Sequence, residues 1–259
     1  MNTIPEKEEE KTAEEWFEEA NSLGRAGKYI QAIESYRRVL EQDATFKDAH
    51  FFMGASYASI GEKSTAVQLY EKELELYPQN RGCLLSLAIL YERQGRFHRA
   101  IEINKRIIYF SPQDKDAYYN IAVNHLKLGN RDKAVKYFEK AVEANKHDEE
   151  AWDHWAMIYF REESYQKTLE ILNRAIEENP ESGRLLYSKG AVLAKMGRDP
   201  EKELELYKKA VKYRHNDSRI WNNMGCALDE LGYKNEAARA WWVAEKMERY
   251  AQSKKKRDL

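Results

Sequence analysis

A glycine followed five residues later by a small residue recurs along this chain at one fixed interval. Gly27 and Ala32, Gly61 and Ala66, Gly95 and Ala100, and Gly129 and Ala134 stand 34 residues apart. The phase continues at Thr168 and, one residue late, at Ala237. A period of that length does not come from one closed core; it comes from units that bury their apolar faces against their neighbours. Ahead of each small residue lies an apolar stretch of helical spacing, such as Trp16 to Leu23 or Trp152 to Tyr159. Behind it lies another, in which Ala134, Val135, Phe138, Ala141 and Val142 share one side of a helix. Each unit therefore reads as helix, short turn at glycine, helix, short turn. Pro78, Pro112 and Pro180 fall where a second helix ends, so their missing N–H breaks no helical bond. With 12 Gly and 5 Pro in 259 residues, the chain has too few turn-formers for an all-β alternative.

The residues at the repeating positions resemble those of the tetratricopeptide repeat family. Trp221, Gly225, Gly232, Ala237, Trp241 and Ala244 supply that family's large, small, turn, small, aromatic and small residues in the last unit. Tyr118, Ala122, Gly129, Ala134, Phe138 and Ala141 supply them in the fourth. The resemblance places seven units at 13–46, 47–80, 81–114, 115–148, 149–182, 183–217 and 218–251. It implies an all-α fold, a right-handed superhelical solenoid whose first helices line a concave surface. The small residues have a physical role, because two helices cross closely only where neither carries bulk. Residues 1–12 are left as an acidic head and 252–259 as a basic tail, with Thr12 and Glu15 forming a capping box at the first helix. No stretch of domain size remains for catalysis, so a non-enzymatic protein is expected.

The remaining chemistry-bearing residues read as structural. Lys+Arg 43 against Asp+Glu 44 leaves a formal net charge of -1, which argues against a surface built for nucleic acid or an anionic membrane. The longest nearly apolar stretch, Cys83 to Tyr91, is far short of the roughly 20 residues of a membrane span, so no membrane insertion is expected. The first residues lack a basic region followed by an apolar one, which predicts a cytoplasmic location, with export as the alternative if a leader has been removed. Gly61 to Thr65 has the composition of a phosphate loop, but no strand precedes it and Glu62 separates the glycine from the lysine. The histidines at 50, 98, 125, 147, 154 and 215 show no pair at the spacing of a helical metal site, so neither metal nor cofactor is expected. His50 and His125 occupy core positions and are expected to be partly buried and hydrogen-bonded. Cys83 and Cys226 read as small buried side chains. The row Arg38, Lys72, Arg106, Lys140, Arg174 and Lys209 reads as a polar outer face, because the positions before it mix Arg37, Glu71, Lys105 and Glu139.

The first helices carry the candidate binding surface. Their fifth residues run Phe17, Phe51, Leu85, Tyr119, Asp153, Tyr187 and Asn222, and one turn later lie Asn21, Ala55, Ile89, Val123, Met157, Ala191 and Cys226. An apolar stripe on a concave wall is a place for a segment of another protein or peptide. Asn120, Asn222 and Asn223 have amides that pair with an extended backbone, and Asp153 and His154 add polar groups. The Lys-Asn, Asn and Lys-Arg set by which some family members grip a C-terminal carboxylate is missing: Phe17, Asn21, Phe52, Gly82 and Ser86 stand in the first three units. Arg184 and Arg219 oppose the dipole at their helix starts and form a candidate site for an acidic part of the ligand.

Two irregularities stand out between repeats. In the sixth, Glu203 replaces a small residue and Lys189 an apolar one, which predicts an ion pair between them; Asp199 and Pro200 read as cap and first residue of the next helix. In the seventh, Trp242 and Val243 replace a polar, basic pair. They serve either to cover the chain's own tail or as a self-association surface. The primary expectation is a protein-interaction scaffold, the alternative a structural protein that assembles through its last repeat, and nucleic-acid binding comes third.

Overall fold

The computed structural model describes residues 11–197 and 199–257. Among these the chain forms fourteen α-helices and no strand, in two compact units that meet in sequence between Leu128 and Gly129. The first holds α1 (Ala13–Arg25), α2 (Tyr29–Gln42), α3 (Ala49–Ser59), α4 (Lys63–Leu76), α5 (Arg81–Arg93), α6 (Phe97–Phe110) and α7 (Lys115–Lys127). The second holds α8 (Arg131–Ala144), α9 (Glu149–Phe160), α10 (Tyr165–Glu178), α11 (Gly183–Met196), α12 (Pro200–Tyr213), α13 (Ser218–Glu230) and α14 (Lys234–Arg257). Within each unit every helix packs on its neighbours in the chain, and α1 touches α3, α9 touches α11, and α11 touches α13. Within each unit, first helices of successive repeats thus come into contact, α1 with α3 in the first and α9, α11 and α13 in the second.

Local chemistry sets the helix boundaries. Thr12 accepts from the Glu15 amide while Glu15 accepts from the Thr12 amide, the reciprocal pair expected from the sequence. Asn80, Asp114, Asp148, Ser182 and Asp217 cap later odd helices by accepting one first-turn amide each, without the return bond, and Asp199 caps α12 with Pro200 at its first position. The second helices of the repeats mostly start without a side-chain cap, after a tight turn through a left-handed residue. Glycine fills that place in every repeat except the fifth, where Glu163 takes it at φ 57°.

The paired helices cross where one side chain is absent. A Cβ on Gly54 would lie 2.9 Å from the Tyr70 ring, on Gly190 2.6 Å from Tyr207, and on Gly225 2.4 Å from Trp241. Tyr207 is fully buried there, in a cluster with Leu186, Ile220 and Met224. In the first unit the corresponding core joins Tyr70, Leu84, Leu87, Tyr91 and Ile107.

Repeat two departs from the pattern for a reason the structure makes plain. Phe46 stands where other repeats carry a capping side chain, and its ring lies 5.0 Å from that of Phe17 instead. Helix α3 therefore starts late, after Asp48 in the left-handed region with no side-chain cap. Glu73 compensates from α4. Its carboxylate, fully buried at 0% exposure, accepts from the Asp48 amide at 3.1 Å and from Asn80 Nδ2 at 3.0 Å. Burial pushes its pKa up, while the Asn80 and Asp48 donors pull it back. Every other repeat has an apolar residue at this place, from Val39 and Ile107 to Ala244.

Three sequence expectations require correction. Lys189 and Glu203 form no ion pair. Gly190 turns its side of α11 to Tyr207, which leaves Lys189 about 100° away around the helix. Glu203 instead has the carboxylates of Glu230 and Asp199 as its charged neighbours. His50 is buried, but its Nδ1 has no hydrogen-bond partner, and burial followed by the Lys72 charge lowers its pKa. Cys83 is buried as expected, whereas Cys226 is exposed, because its place on α13 lies on the inner row rather than in the core.

Candidate functional site

The inner-row residues divide into those the core has taken and those left at the surface. Phe17 is half-buried against the core: it packs on Ala20, Ala32 and Tyr36, edge-on to the Tyr36 ring at 5.9 Å. Asn21 is committed as well, because its Oδ1 accepts from the Tyr36 hydroxyl at 2.7 Å. Phe51 and Leu85 are half-buried and rest on the first unit's main cluster, Phe51 with its ring 5.9 Å from Tyr70. One turn beyond Leu85, Ile89 is 45% exposed. On α7, Tyr119, Asn120 and Val123 are half-buried, and the Asn120 carbonyl accepts from Asn124 Nδ2.

The second unit brings its predicted residues into one polar group across α9, α11 and α13. Ser188 Oγ donates to Asp153 Oδ1 at 2.6 Å, tying α11 to α9. The Arg219 guanidinium lies 5.5 Å from the centre of the Tyr187 ring, tying α13 to α11. Burial raises the Tyr187 pKa, and the Arg219 charge beside it works the other way. Asn223 is half-buried beside Tyr187, Asn222 is exposed, and Met157 is half-buried on α9. His154 meets the Phe138 ring edge-on at 6.0 Å.

The expected basic field at this end is largely cancelled. Arg219 binds Asp217 through two parallel bonds of 3.0 and 2.7 Å, which also holds the Asp217 carboxyl below the usual carboxylate range. Arg184 approaches Glu150 at 3.7 Å. Both arginines therefore stand beside a carboxylate of their own chain.

Sequence reasoning missed two features of the first unit. One is the Glu73, Asp48 and Asn80 network, whose signal was available: a phenylalanine at a capping position and a glutamate at an apolar one. The other is an open cleft of about 740 Å³ at the turns between repeats, lined by Leu76, Tyr77, Pro78, Asn80 and Phe110. No periodic signal marks it, because it forms where exposed helix ends happen to flank a turn.

On the last helix, Trp242 is 56% exposed, with Lys246 Nζ 3.9 Å from its ring centre, and Val243 is half-buried. Of the segment expected to be a tail, residues 252–257 continue α14, which runs 24 residues to Arg257, so among the described residues no tail folds back over Trp242.

Comparison with known proteins accords with this architecture. Three family models, each described as a tetratricopeptide repeat, match residues 17–81, 83–115 and 115–148, together half of the chain. No curated protein matches it in sequence. Among crystal structures, the C-terminal part of a repeat protein from Cytophaga hutchinsonii aligns over 89% of this chain and 95% of its own, at 15% identity and a TM-score of 0.68. A tetratricopeptide repeat protein from Parabacteroides merdae aligns over 91% and 93%, at 20% identity and a TM-score of 0.60. YrrB, described as having an unusual peptide-binding site, aligns over 70% and 93%, at 22% identity and a TM-score of 0.51. At such identities the likeness is one of fold. With its helix pairs, its left-handed turns and its matched repeats, this chain belongs to the tetratricopeptide repeat family and is an all-α helical-repeat solenoid.

Proposed function

We propose that the chain is a non-enzymatic interaction scaffold that holds an extended segment of another protein along the odd-numbered helices within a unit, without a carboxylate clamp. The observation that carries this is Ile89, an isoleucine 45% exposed on a first helix whose neighbouring turn, at Leu85, is already half-buried. Exposed branched apolar surface next to core is what a ligand side chain covers favourably, at about 25 cal/mol for each Å² removed from water. In the second unit, the exposed Asn222 and the half-buried Asn223 supply the donors and acceptors that an extended backbone needs. YrrB, with the same fold, is described as binding a peptide at an unusual site, which is in keeping with a groove lacking the clamp residues.

Photo-crosslinking tests the reading. A photoreactive residue at Ile89, on α5, is expected to capture a partner from cell lysate, and the same residue at the exposed Gln68, on the second helix α4, is not. Capture at Gln68 alone moves binding to the other side of the repeats. The captured segment, synthesised with a free or an amidated C-terminus, binds equally well if no carboxylate is gripped.

A further inference from the structure

The charge of this nearly neutral chain is sorted to its two ends. Residues 1–19 contain eight Glu against two Lys, while residues 234–257 contain eight Lys or Arg against three Glu. Along α14 the exposed basic residues interleave with aromatic rings. Trp242, Lys246 and Tyr250 follow one another at intervals of four on one face, flanked by Arg239 and Lys254. Trp242 is 56% and Tyr250 69% exposed. In the six earlier repeats the place of Trp242 is held by Arg37, Glu71, Lys105, Glu139, Asn173 and Lys208, so an aromatic ring there is peculiar to the last. At the other end, α1 exposes Glu14 and Glu18, four apart on one face, and neither has an ion-pair partner among the described residues. Glu15 is occupied by its capping box and Glu19 by Lys11, so Glu14 and Glu18 are the carboxylates left to an outside cation.

We propose that the chain associates head to tail with a second copy of itself, the exposed face of α14 on one copy receiving the acidic face of α1 on the next. Charge complementarity selects this occupant. Two α14 faces brought together oppose lysine to lysine, and two α1 faces oppose glutamate to glutamate, so a symmetric pairing through either end is disfavoured. In the head-to-tail contact, Arg239, Lys246 and Lys254 meet Glu14 and Glu18, while Trp242 and Tyr250 provide the apolar area that exposed ion pairs lack. The contact is independent of the proposed groove, which involves other residues.

Analytical ultracentrifugation of the full chain and of two charge-reversed variants tests it, with folding checked by circular dichroism. Variant one carries Glu14→Lys and Glu18→Lys; variant two carries Lys246→Glu and Lys254→Glu. The wild-type chain is expected to associate with rising concentration at 50 mM salt, at least tenfold more weakly at 500 mM. Each variant alone stays monomeric, and an equimolar mixture of the two associates, because each then meets an end of opposite sign. A wild-type chain that is monomeric at every concentration overturns the proposal. So does self-association of variant one, whose intact α14 then pairs symmetrically, or a mixture that remains monomeric. Binding of wild type to heparin with equal loss in variant two, without self-association, assigns the stripe to a polyanion instead and equally overturns it.

Discussion

Replacing Glu203 with glutamine removes the one carboxylate that sits where the other repeats have alanine or threonine. Glu203 is 4% exposed, and its pKa is raised from 4.5 to about 7, first by burial and then by the charges of Glu230 and Asp199. Lys202 does not relieve this, since its ammonium pairs with Asp199 at 2.6 Å. In the unfolded chain the carboxyl ionises near its ordinary value. Between that value and about pH 7 the native state holds a proton that the unfolded state has lost, so stability falls as pH rises through the window. Below the window both states are protonated and the group has no effect; above it the full cost is present. At about 1.4 kcal/mol for every tenfold change in proton affinity, less some screening by water near the helix end, the cost above pH 7 is about 2 to 3 kcal/mol. Urea titrations at pH 5 and pH 8, with amide exchange followed along α12, measure it. The wild type is expected to lose that amount relative to Glu203→Gln, and its α12 amides to lose protection, as pH rises. Parallel pH profiles for wild type and variant refute the reasoning.

Three other substitutions probe the frame. Glu73→Ala restores the small residue of later repeats but strips the Asp48 amide and Asn80 of their acceptor, so a loss of about 1 to 3 kcal/mol is expected in urea titration, with faster exchange at the start of α3. An unchanged midpoint disproves a capping role. Gly190→Ala forces a Cβ to within 2.6 Å of the buried Tyr207 ring, and a loss of about 1 to 3 kcal/mol follows from overpacking; a neutral result in thermal melts means the ring is free to retreat. Glu163→Gly relieves a left-handed non-glycine turn and is expected to stabilise the second unit by up to about 1 kcal/mol, read from the same melts.

How much was legible beforehand depended on whether a residue's role was set by its own repeat. The turn glycines, the Thr12 and Asp199 caps and the close crossings could be read directly, since each depends on partners within a few residues or in the adjoining helix of the same unit. Lys189 and Glu203 show the limit. Their opposite charges at facing positions predicted a bond, yet the direction of each side chain is set by the rotation of its helix, and that rotation follows from where Tyr207 finds room against Gly190. The inner row shows the same limit. Ile89, Val123, Met157 and Cys226 hold the same place in their helices, but packing half-buries Val123 and Met157 and leaves Ile89 and Cys226 exposed.

The helical class and the order of the helices followed from the 34-residue period alone, the family from the residues at the repeating positions, and the segregation of charge to the chain ends from composition. Only the tertiary structure decided which inner-row side chains remain at the surface, that Glu73 stands in for the missing cap of α3, that Asp217 and Glu150 occupy the two arginines, and that α14 continues to Arg257 with Trp242 uncovered. The reason is one of range. A repeat pattern specifies what each position meets within its own unit, whereas burial, pairing and pKa depend on whichever side chain a neighbouring repeat brings within a few ångströms.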